Sequence, residues 1–297
     1  MSNFLRWRRS VTEERPGAAN TEPGTTAASD IMPGLSPEMI ELMLELQRRL
    51  AERTQPLLAQ FCTALNPKAD NETRYRTAEA LAGAVYPTYK FSEYGRLFLE
   101  DRAFLEYYRR FMDPGNWHSL DRKYTLDQLL KLVQHLDGDL AECGAYRGFS
   151  AYRLCLAARN SSKLVHLFDS FAGLSAPGPW DGDYWTAGGL RSSEVALQET
   201  LAEFDNYRIY RGWIPERFGE VSDRRFSFVH IDVDLYQPTR ESLEFFYPRT
   251  PRQGIILMDD YGFSTCPGAK HAVDEFFANK SEPVVMLTTG QALVLKR

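Results

Sequence analysis

Cysteine, histidine and long apolar runs are all scarce in this chain of 297 residues. Its four cysteines, Cys62, Cys143, Cys155 and Cys266, have neither metal-ligand spacing nor a paired framework. That pattern excludes a zinc module or a disulfide scaffold and predicts small buried apolar side chains in a reducing, cytoplasmic setting. No stretch approaches the roughly 20 apolar residues of a transmembrane helix, so no integral membrane segment is expected. The first residues, Met-Ser-Asn-Phe-Leu-Arg-Trp-Arg-Arg, lack the apolar core of a signal peptide. A basic excess is missing too. The 35 Lys and Arg are interspersed with 40 Asp and Glu, and a net charge of −5 disfavours binding to nucleic acid. At 43% hydrophobic and 25% charged residues, the composition suits one large or two small globular domains.

Residues 1–35 are rich in Pro, Gly, Ala, Thr and Glu without periodicity, and are expected to form a disordered tail. Ser36-Pro37 is an N-cap followed by proline at the first helical position. Met39, Leu42, Met43, Leu46 and Leu50 then recur at helical spacing. Pro56 is expected to kink or end that helix, and its apolar face must pack on the main domain or on a second subunit. Further helices are expected over 73–84, 91–111 and 124–136, giving a helical extension and lid over 36–136. From Asp139 the pattern alternates between strands and helices, with strands at 139–143, 163–168, 207–210, 226–231 and 254–258. The helix at 269–277 and two short runs at 284–287 and 292–295, joined by Thr-Thr-Gly-Gln, complete a core over 137–297. This predicts an α/β fold: a doubly wound, Rossmann-like seven-stranded sheet with a C-terminal antiparallel hairpin.

The chemistry-bearing residues fall at strand ends. Phe226–Ile231 runs into Asp232-Val233-Asp234, and Gly254–Met258 into Asp259-Asp260. Neighbouring strands lie about 5 Å apart, so these carboxylates should crowd one another. Crowded carboxylates share protons or a cation, and an all-oxygen set favours a hard divalent ion such as Mg²⁺. The competing reading is that the aspartates cap the helices that follow. The first strand opens into Glu142-Cys143-Gly144-Ala145-Tyr146-Arg147-Gly148, which lacks the full dinucleotide spacing. The second ends in Phe168-Asp169-Ser170-Phe171, which places an acid where α/β nucleotide binders hold a ribose. The third is followed by Arg211-Gly212-Trp213, which offers an aromatic to border an adenine. Together they fit an adenosyl cofactor.

These elements, with Phe168–Leu174, Ile231–Tyr236, Met258–Gly262 and Ala272–Phe276, resemble the class I S-adenosylmethionine-dependent methyltransferases. The closer resemblance is to the macrocin O-methyltransferase family of sugar-modifying enzymes, and it spans the chain from about Phe91 onward. It implies Asp232, Asp259 and Asp260 as Mg²⁺ ligands and Asp234 as general base. It also implies Glu142, Gly144 and Asp169 as contacts to S-adenosylmethionine. The expected contacts extend along the same turns to Tyr146, Ser170, Phe171, Gly212 and Trp213, and Asp232 serves donor and metal alike. A hydroxyl of a sugar-containing acceptor is the implied substrate. Tyr236, Tyr261 and Lys270 are further candidates for the acceptor pocket, and the loop over 177–191, with its Gly, Trp and Tyr content, is expected to carry pocket residues and act as a mobile lid. Two other readings stay open: a nucleotide-sugar glycosyltransferase using Asp232-Val233-Asp234 as a D-x-D motif, and a non-catalytic scaffold that binds cofactor or a partner.

Overall fold

The computed structural model describes residues 36–85, 97–112 and 119–297. The tail expected over 1–35 and the start of the helix expected from 91 lie outside the described residues. The chain divides into two compact units, 1–95 and 96–297.

In the first unit, helix α1 (Pro37–Ala64) begins where Ser36 Oγ accepts a hydrogen bond from the Met39 N–H at 3.3 Å. It does not end at Pro56. That proline sits inside the helix, which continues for two further turns. A proline removes one N–H donor, and the good helix formers that follow it, Leu57 to Gln60, sustain the remaining ladder. Helix α2 (Asn71–Val85) packs on α1. Cys62 is exposed on α1, contrary to the expectation of a buried residue, whereas Cys143, Cys155 and Cys266 are buried.

The second unit opens with a short 3₁₀ turn (Leu97–Glu100), helix α3 (Arg102–Phe111) and helix α4 (Leu120–Leu132). There follow β1 (Asp139–Cys143), α5 (Phe149–Ala158), β2 (Val165–Asp169), α6 (Glu194–Thr200) and β3 (Tyr207–Arg211). The second half comprises β4 (Phe226–Ile231), α7 (Tyr236–Phe246), β5 (Ile255–Met258), α8 (Pro267–Phe277), β6 (Val285–Met286) and β7 (Ala292–Leu295). The seven strands are ordered β3-β2-β1-β4-β5-β7-β6. β1 to β5 pair in parallel, and β7 runs antiparallel to both β5 and β6. The expected doubly wound sheet and closing hairpin are both present.

Strand periodicity builds two cores from one sheet. Leu140, Leu167, Phe228, Ile255 and Leu257 face one side, packed with Leu126 and Leu130 of α4 and Leu154 of α5. Ala141, Phe168, Val229, Ile231, Ile256 and Met258 face the other, packed with Phe246 of α7 and Val273 of α8. Each large apolar side chain fully buried here contributes about 1.5–3 kcal/mol. The winding reverses between β1, whose other neighbour is β2, and β4. In open α/β sheets the crevice beyond such a switch point is where ligands bind.

That crevice depends on Gly144. Its φ is +85°, and a Cβ there would lie 1.8 Å from the carbonyl oxygen of Asp232. Gly144→Ala is therefore expected to lower the unfolding free energy of this unit by about 2–4 kcal/mol, through left-handed strain and overpacking. Gly219, by contrast, has open space around it, and Gly219→Ala should stay within about 0.5 kcal/mol of the parent. Urea denaturation of both variants checks the contrast, and equal stabilities would contradict it.

Candidate active site

A cavity of about 690 Å³ lies outside the carboxyl ends of β1, β2, β4 and β5. One wall is built from turns. The Gly144 N–H donates to the Phe168 carbonyl at 2.9 Å, continuing the β1–β2 ladder past the strand end. Asp169 then acts as a fastener: its carboxylate accepts the Tyr146 N–H at 2.7 Å and the Phe171 N–H at 2.6 Å. Both of those residues hold left-handed backbone, with φ of 48° and 55°, which costs non-glycine residues about 1–3 kcal/mol each. Burial raises the Asp169 pKa, and the two N–H bonds oppose that rise. Ser170 Oγ donates to the Gly173 carbonyl at 3.0 Å, and the Gly212 N–H donates to the Asp169 carbonyl at 3.0 Å. Gly144, Tyr146, Asp169, Ser170, Gly212 and Trp213 all line the cavity. Glu142 and Phe171 do not: both are buried behind the lining.

The opposite wall is acidic. Asp232, Asp234 and Asp260 line the cavity, whereas Asp259 sits behind it. Side-chain exposure separates the two positions, at 29% for Asp232 against 1% for Asp259. Strand register explains the buried layer. Glu142 and His230 are paired across β1 and β4, and both fall on the parity of the face covered by α4 and α5. His230 bridges two carboxylates, with Nδ1 2.9 Å from Glu142 Oε1 and Nε2 3.2 Å from Asp259 Oδ1. Asp259 is further held by Gln291 Nε2 at 2.6 Å on Oδ1 and by Arg122 Nη1 at 2.5 Å on Oδ2. Asp260 turns one oxygen to the loop, where Oδ2 accepts the Val233 N–H at 3.1 Å and the Asp234 N–H at 2.9 Å. Those bonds pin Asp234 at a φ of 60° and leave its carboxylate toward the cavity, where Oδ1 accepts the Cys266 thiol at 3.5 Å.

Electrostatics sort these groups. Burial lifts the pKa of Asp232, with the Asp259 charge adding to it. Burial and the neighbouring Asp232 charge push Asp234 up to about 7. Asp260 is held well above the usual range by burial and the other three aspartates. Asp259 differs because Lys123, Arg122 and His230 outweigh its burial and hold it well below the ordinary value. Burial would lower the His230 pKa, but its bonds to Asp259 and Glu142 win and raise it to about 9, so the ring is an imidazolium at neutral pH.

Several residues of the site escaped the sequence reading, although Trp185 lies on the 177–191 loop that was expected to carry pocket residues. Arg122 and Lys123 reach the cavity from α4, where Lys123 falls on the same stripe as Leu126 and Leu130. A lysine in an apolar stripe was the available signal. Trp185 and Cys266 meet at the lining, with Trp185 Nε1 donating to the Cys266 sulfur at 3.4 Å. Asp181 fastens the loop that carries Trp185, accepting the Tyr236 N–H at 2.6 Å and the Gly178 N–H at 2.7 Å. Conversely, Tyr236, Tyr261 and Lys270 are not on the lining, contrary to the expectation of an acceptor-pocket role. Tyr236 Oη donates to Glu275 at 2.5 Å, while Tyr261 and Lys270 both bond Asp274. Only Lys270–Asp274 is an i,i+4 pair, but all three groups are satisfied by Asp274 or Glu275 of α8 rather than at the cavity.

The donor set fits a hard divalent cation. Five carboxyl groups (Glu142, Asp232, Asp234, Asp259 and Asp260) surround three basic ones (Arg122, Lys123 and His230), and burial and mutual repulsion raise the pKa of all but Asp259, so they hold protons that a divalent ion would displace. Among the described residues, two ligand-capable groups converge within 4.8 Å: His230 with Asp232 and Asp259, and Asp234 with Asp260 and Cys266. The three expected metal ligands therefore divide between two adjoining groups. The protonated His230 supplies no lone pair, and the oxygens that remain are the kind Mg²⁺ prefers.

A family model described as Macrocin-O-methyltransferase (TylF) matches residues 119–288, more than half of the chain. Demethyldecarbamoylnovobiocin O-methyltransferase of Streptomyces niveus is 29% identical over 184 residues, covering 56% of this chain and 70% of its own. An 8-demethyl-8-(2,3-dimethoxy-alpha-L-rhamnosyl)-tetracenomycin-C 4'-O-methyltransferase of Streptomyces olivaceus is 29% identical over 179 residues, covering 53% and 68%. Two solved structures share the fold. The O-methyltransferase NovP has a TM-score of 0.51 at 22% identity, covering 62% of this chain and 84% of its own. The calicheamicin methyltransferase CalS11 has a TM-score of 0.55 at 16% identity, covering 93% and 99%.

The titrations make the stability of the metal-free protein depend on pH in one direction. Asp234, with a folded pKa of about 7, keeps a proton that the unfolded chain releases near pH 4, so stability falls as pH rises between those values. The stabilisation from protonated His230 is complete below its ordinary value of 6.5 and is lost as pH rises through about 9. In EDTA, the thermal midpoint should therefore decline from about pH 5 to about pH 9, and Asp234→Asn should flatten the part below 7. A midpoint that climbs across this range would contradict the assignment.

Proposed function

The chain belongs to the Macrocin-O-methyltransferase family and is an O-methyltransferase, and from that premise we propose that it moves a methyl group from S-adenosylmethionine to a sugar hydroxyl, with Mg²⁺ held at the aspartates. The sugar reading draws on a relative whose name specifies a rhamnosyl-bearing compound and 4'-O-methylation. One observation carries the chemistry: the Gly144–Tyr146 and Asp169–Ser170 turns share a single cavity with Asp232, Asp234 and Asp260. A donor seated on the turns would lie beside the carboxylates, and an acceptor hydroxyl could be held between the two.

The division of labour follows from the positions. Asp232, Asp259 and Asp260 would hold the divalent ion, with Arg122, Gln291 and His230 fixing Asp259 in one orientation. When bound, that ion supplies Lewis acidity that lowers the pKa of an acceptor hydroxyl. Asp234 takes the hydroxyl proton, and a carboxylate with a pKa near 7 is well matched to general-base work at neutral pH. The acceptor oxygen forms its bond to the methyl carbon as the carbon–sulfur bond breaks. The bonding pair goes to sulfur, which leaves as a neutral thioether. Trp185, Leu190 and Phe263 give the cavity lining its apolar surface. We further propose that α3 and α4, with the loop over 177–191, act as a lid, since α4 brings Arg122 and Lys123 onto the lining.

Two results test this reading. Asp234→Asn should lower turnover about 10²- to 10⁴-fold while leaving calorimetric binding of S-adenosylhomocysteine near the parent value. Full activity in that variant would remove Asp234 as the base. Chelation with EDTA should abolish methyl transfer to a glycoside acceptor, with recovery on adding Mg²⁺, and undiminished rates in metal-free buffer would refute the metal-dependent scheme.

A further inference from the structure

Both oxygens of Asp259 are engaged. Oδ1 accepts Gln291 Nε2 at 2.6 Å and stands 3.2 Å from His230 Nε2, while Oδ2 accepts Arg122 Nη1 at 2.5 Å. A carboxylate oxygen has two lone pairs, so Oδ1 is filled and Oδ2 is the oxygen left to meet an ion. Arg122 already stands at that oxygen. It reaches there from the first turn of α4, with Nε donating to Ser119 Oγ at 3.1 Å and the guanidinium carbon 5.0 Å from the centre of the Phe263 ring. Arg122 and Phe263 line the cavity whereas Asp259 lies behind it, so the guanidinium covers Oδ2 from the cavity side.

A metal at this corner would ask for the same oxygen. Asp259 converges with Asp232 and His230, and a protonated His230 has no lone pair to give. A guanidinium and a divalent ion on one oxygen would meet as like charges in a buried corner, where water screens them little. We infer that Arg122 competes with the divalent ion for Asp259 Oδ2, and that this arginine therefore sets the ion concentration at which the site loads. The inference rests on the metal reading above. Asp259 keeps its orientation through the exchange because Gln291 and His230 hold Oδ1. Gln291 is itself fixed as a donor: its Oε1 accepts the Thr289 hydroxyl at 2.9 Å, which turns Nε2 toward Asp259. The displaced guanidinium retains the Phe263 ring, a contact that does not need Asp259.

The sign of one substitution separates competition from support. An arginine that only steadies a metal ligand would weaken ion binding when removed, whereas a competitor would strengthen it. Lys123 controls for charge alone. Burial raises the Asp259 pKa, and the Lys123 charge is first among those that pull it down; it acts on Glu142 as well and lies 3.9 Å from Asp232 Oδ2. Its hydrogen bond, however, goes to Ser150 Oγ at 2.6 Å and leaves Asp259 Oδ2 uncovered. Titration of the full chain with Mn²⁺, followed by electron paramagnetic resonance of the free ion, compares the parent with Arg122→Met and Lys123→Met. Arg122→Met should bind Mn²⁺ about 10- to 100-fold more tightly than the parent, the scale of a charge-assisted hydrogen bond that no longer has to be broken. Lys123→Met should gain clearly less. Arg122→Gln, which keeps a polar head on the lining, repeats the test should the methionine variant unfold. Unchanged or weaker binding in a folded Arg122 variant, or an equal gain in Lys123→Met, overturns the competition and leaves the metal site standing. Failure of the parent and all variants to bind Mn²⁺ overturns the metal reading, and the competition with it.

Discussion

Mutual repulsion among carboxylates is the constraint around which this site is organised. Four aspartates from two strand ends and Glu142 beneath them occupy one corner of the sheet, and sequestering that much like charge is costly without compensation. The fold supplies part of the compensation from below and from the side. His230, placed by β4 parity against Glu142, and Arg122 and Lys123, delivered by α4, neutralise the buried layer. Asp259 is the carboxylate they stabilise most; it lies behind the lining, with a ligand atom within 4.8 Å of one on Asp232. The carboxyl groups on the lining, Asp232, Asp234 and Asp260, are the ones whose pKa burial and mutual repulsion raise. A surface prepared in this way attracts a hard cation and, at Asp234, a proton from a ligand.

The same logic links backbone strain to chemistry. Tyr146, Phe171 and Asp234 each occupy left-handed backbone without being glycine. In each case a carboxylate accepts the N–H of the strained residue: Asp169 for the first two and Asp260 for the third. The strain is therefore held by the acidic groups that shape the cavity. A change at Asp169 or Asp260 would loosen the turn before it altered any ligand contact.

Much of this was legible in the sequence, for identifiable reasons. The apolar runs at 139–143 and 226–231 coincide with β1 and β4 because parallel strands buried on both faces read as continuous hydrophobic segments. The aspartates that follow β4 and β5 could be placed at a common edge, since parallel strands end on the same side. What the sequence concealed was whatever depends on tertiary approach. The division of Asp259 from Asp232 and Asp260 follows from partners on α4 and near β7, distant in sequence. Lys123 carried a signal, a charge within an apolar helical stripe, and so did Trp185 through the composition of the 177–191 loop, but Cys266 carried none, because its meeting with Trp185 depends on that loop being fastened by Asp181. Tyr236, Tyr261 and Lys270 were misplaced for a related reason: Asp274 and Glu275 of α8 satisfy them away from the lining.

The claim beneath all of this is that the carboxylate corner is built for one divalent ion. Titration with Mn²⁺, followed by electron paramagnetic resonance of the free ion, measures it directly. The account predicts one bound Mn²⁺ per chain, displaced by Mg²⁺ and lost in an Asp232→Asn, Asp260→Asn double variant that remains folded. A folded parent chain that leaves all the Mn²⁺ free, or a double variant that binds it undiminished, would contradict it.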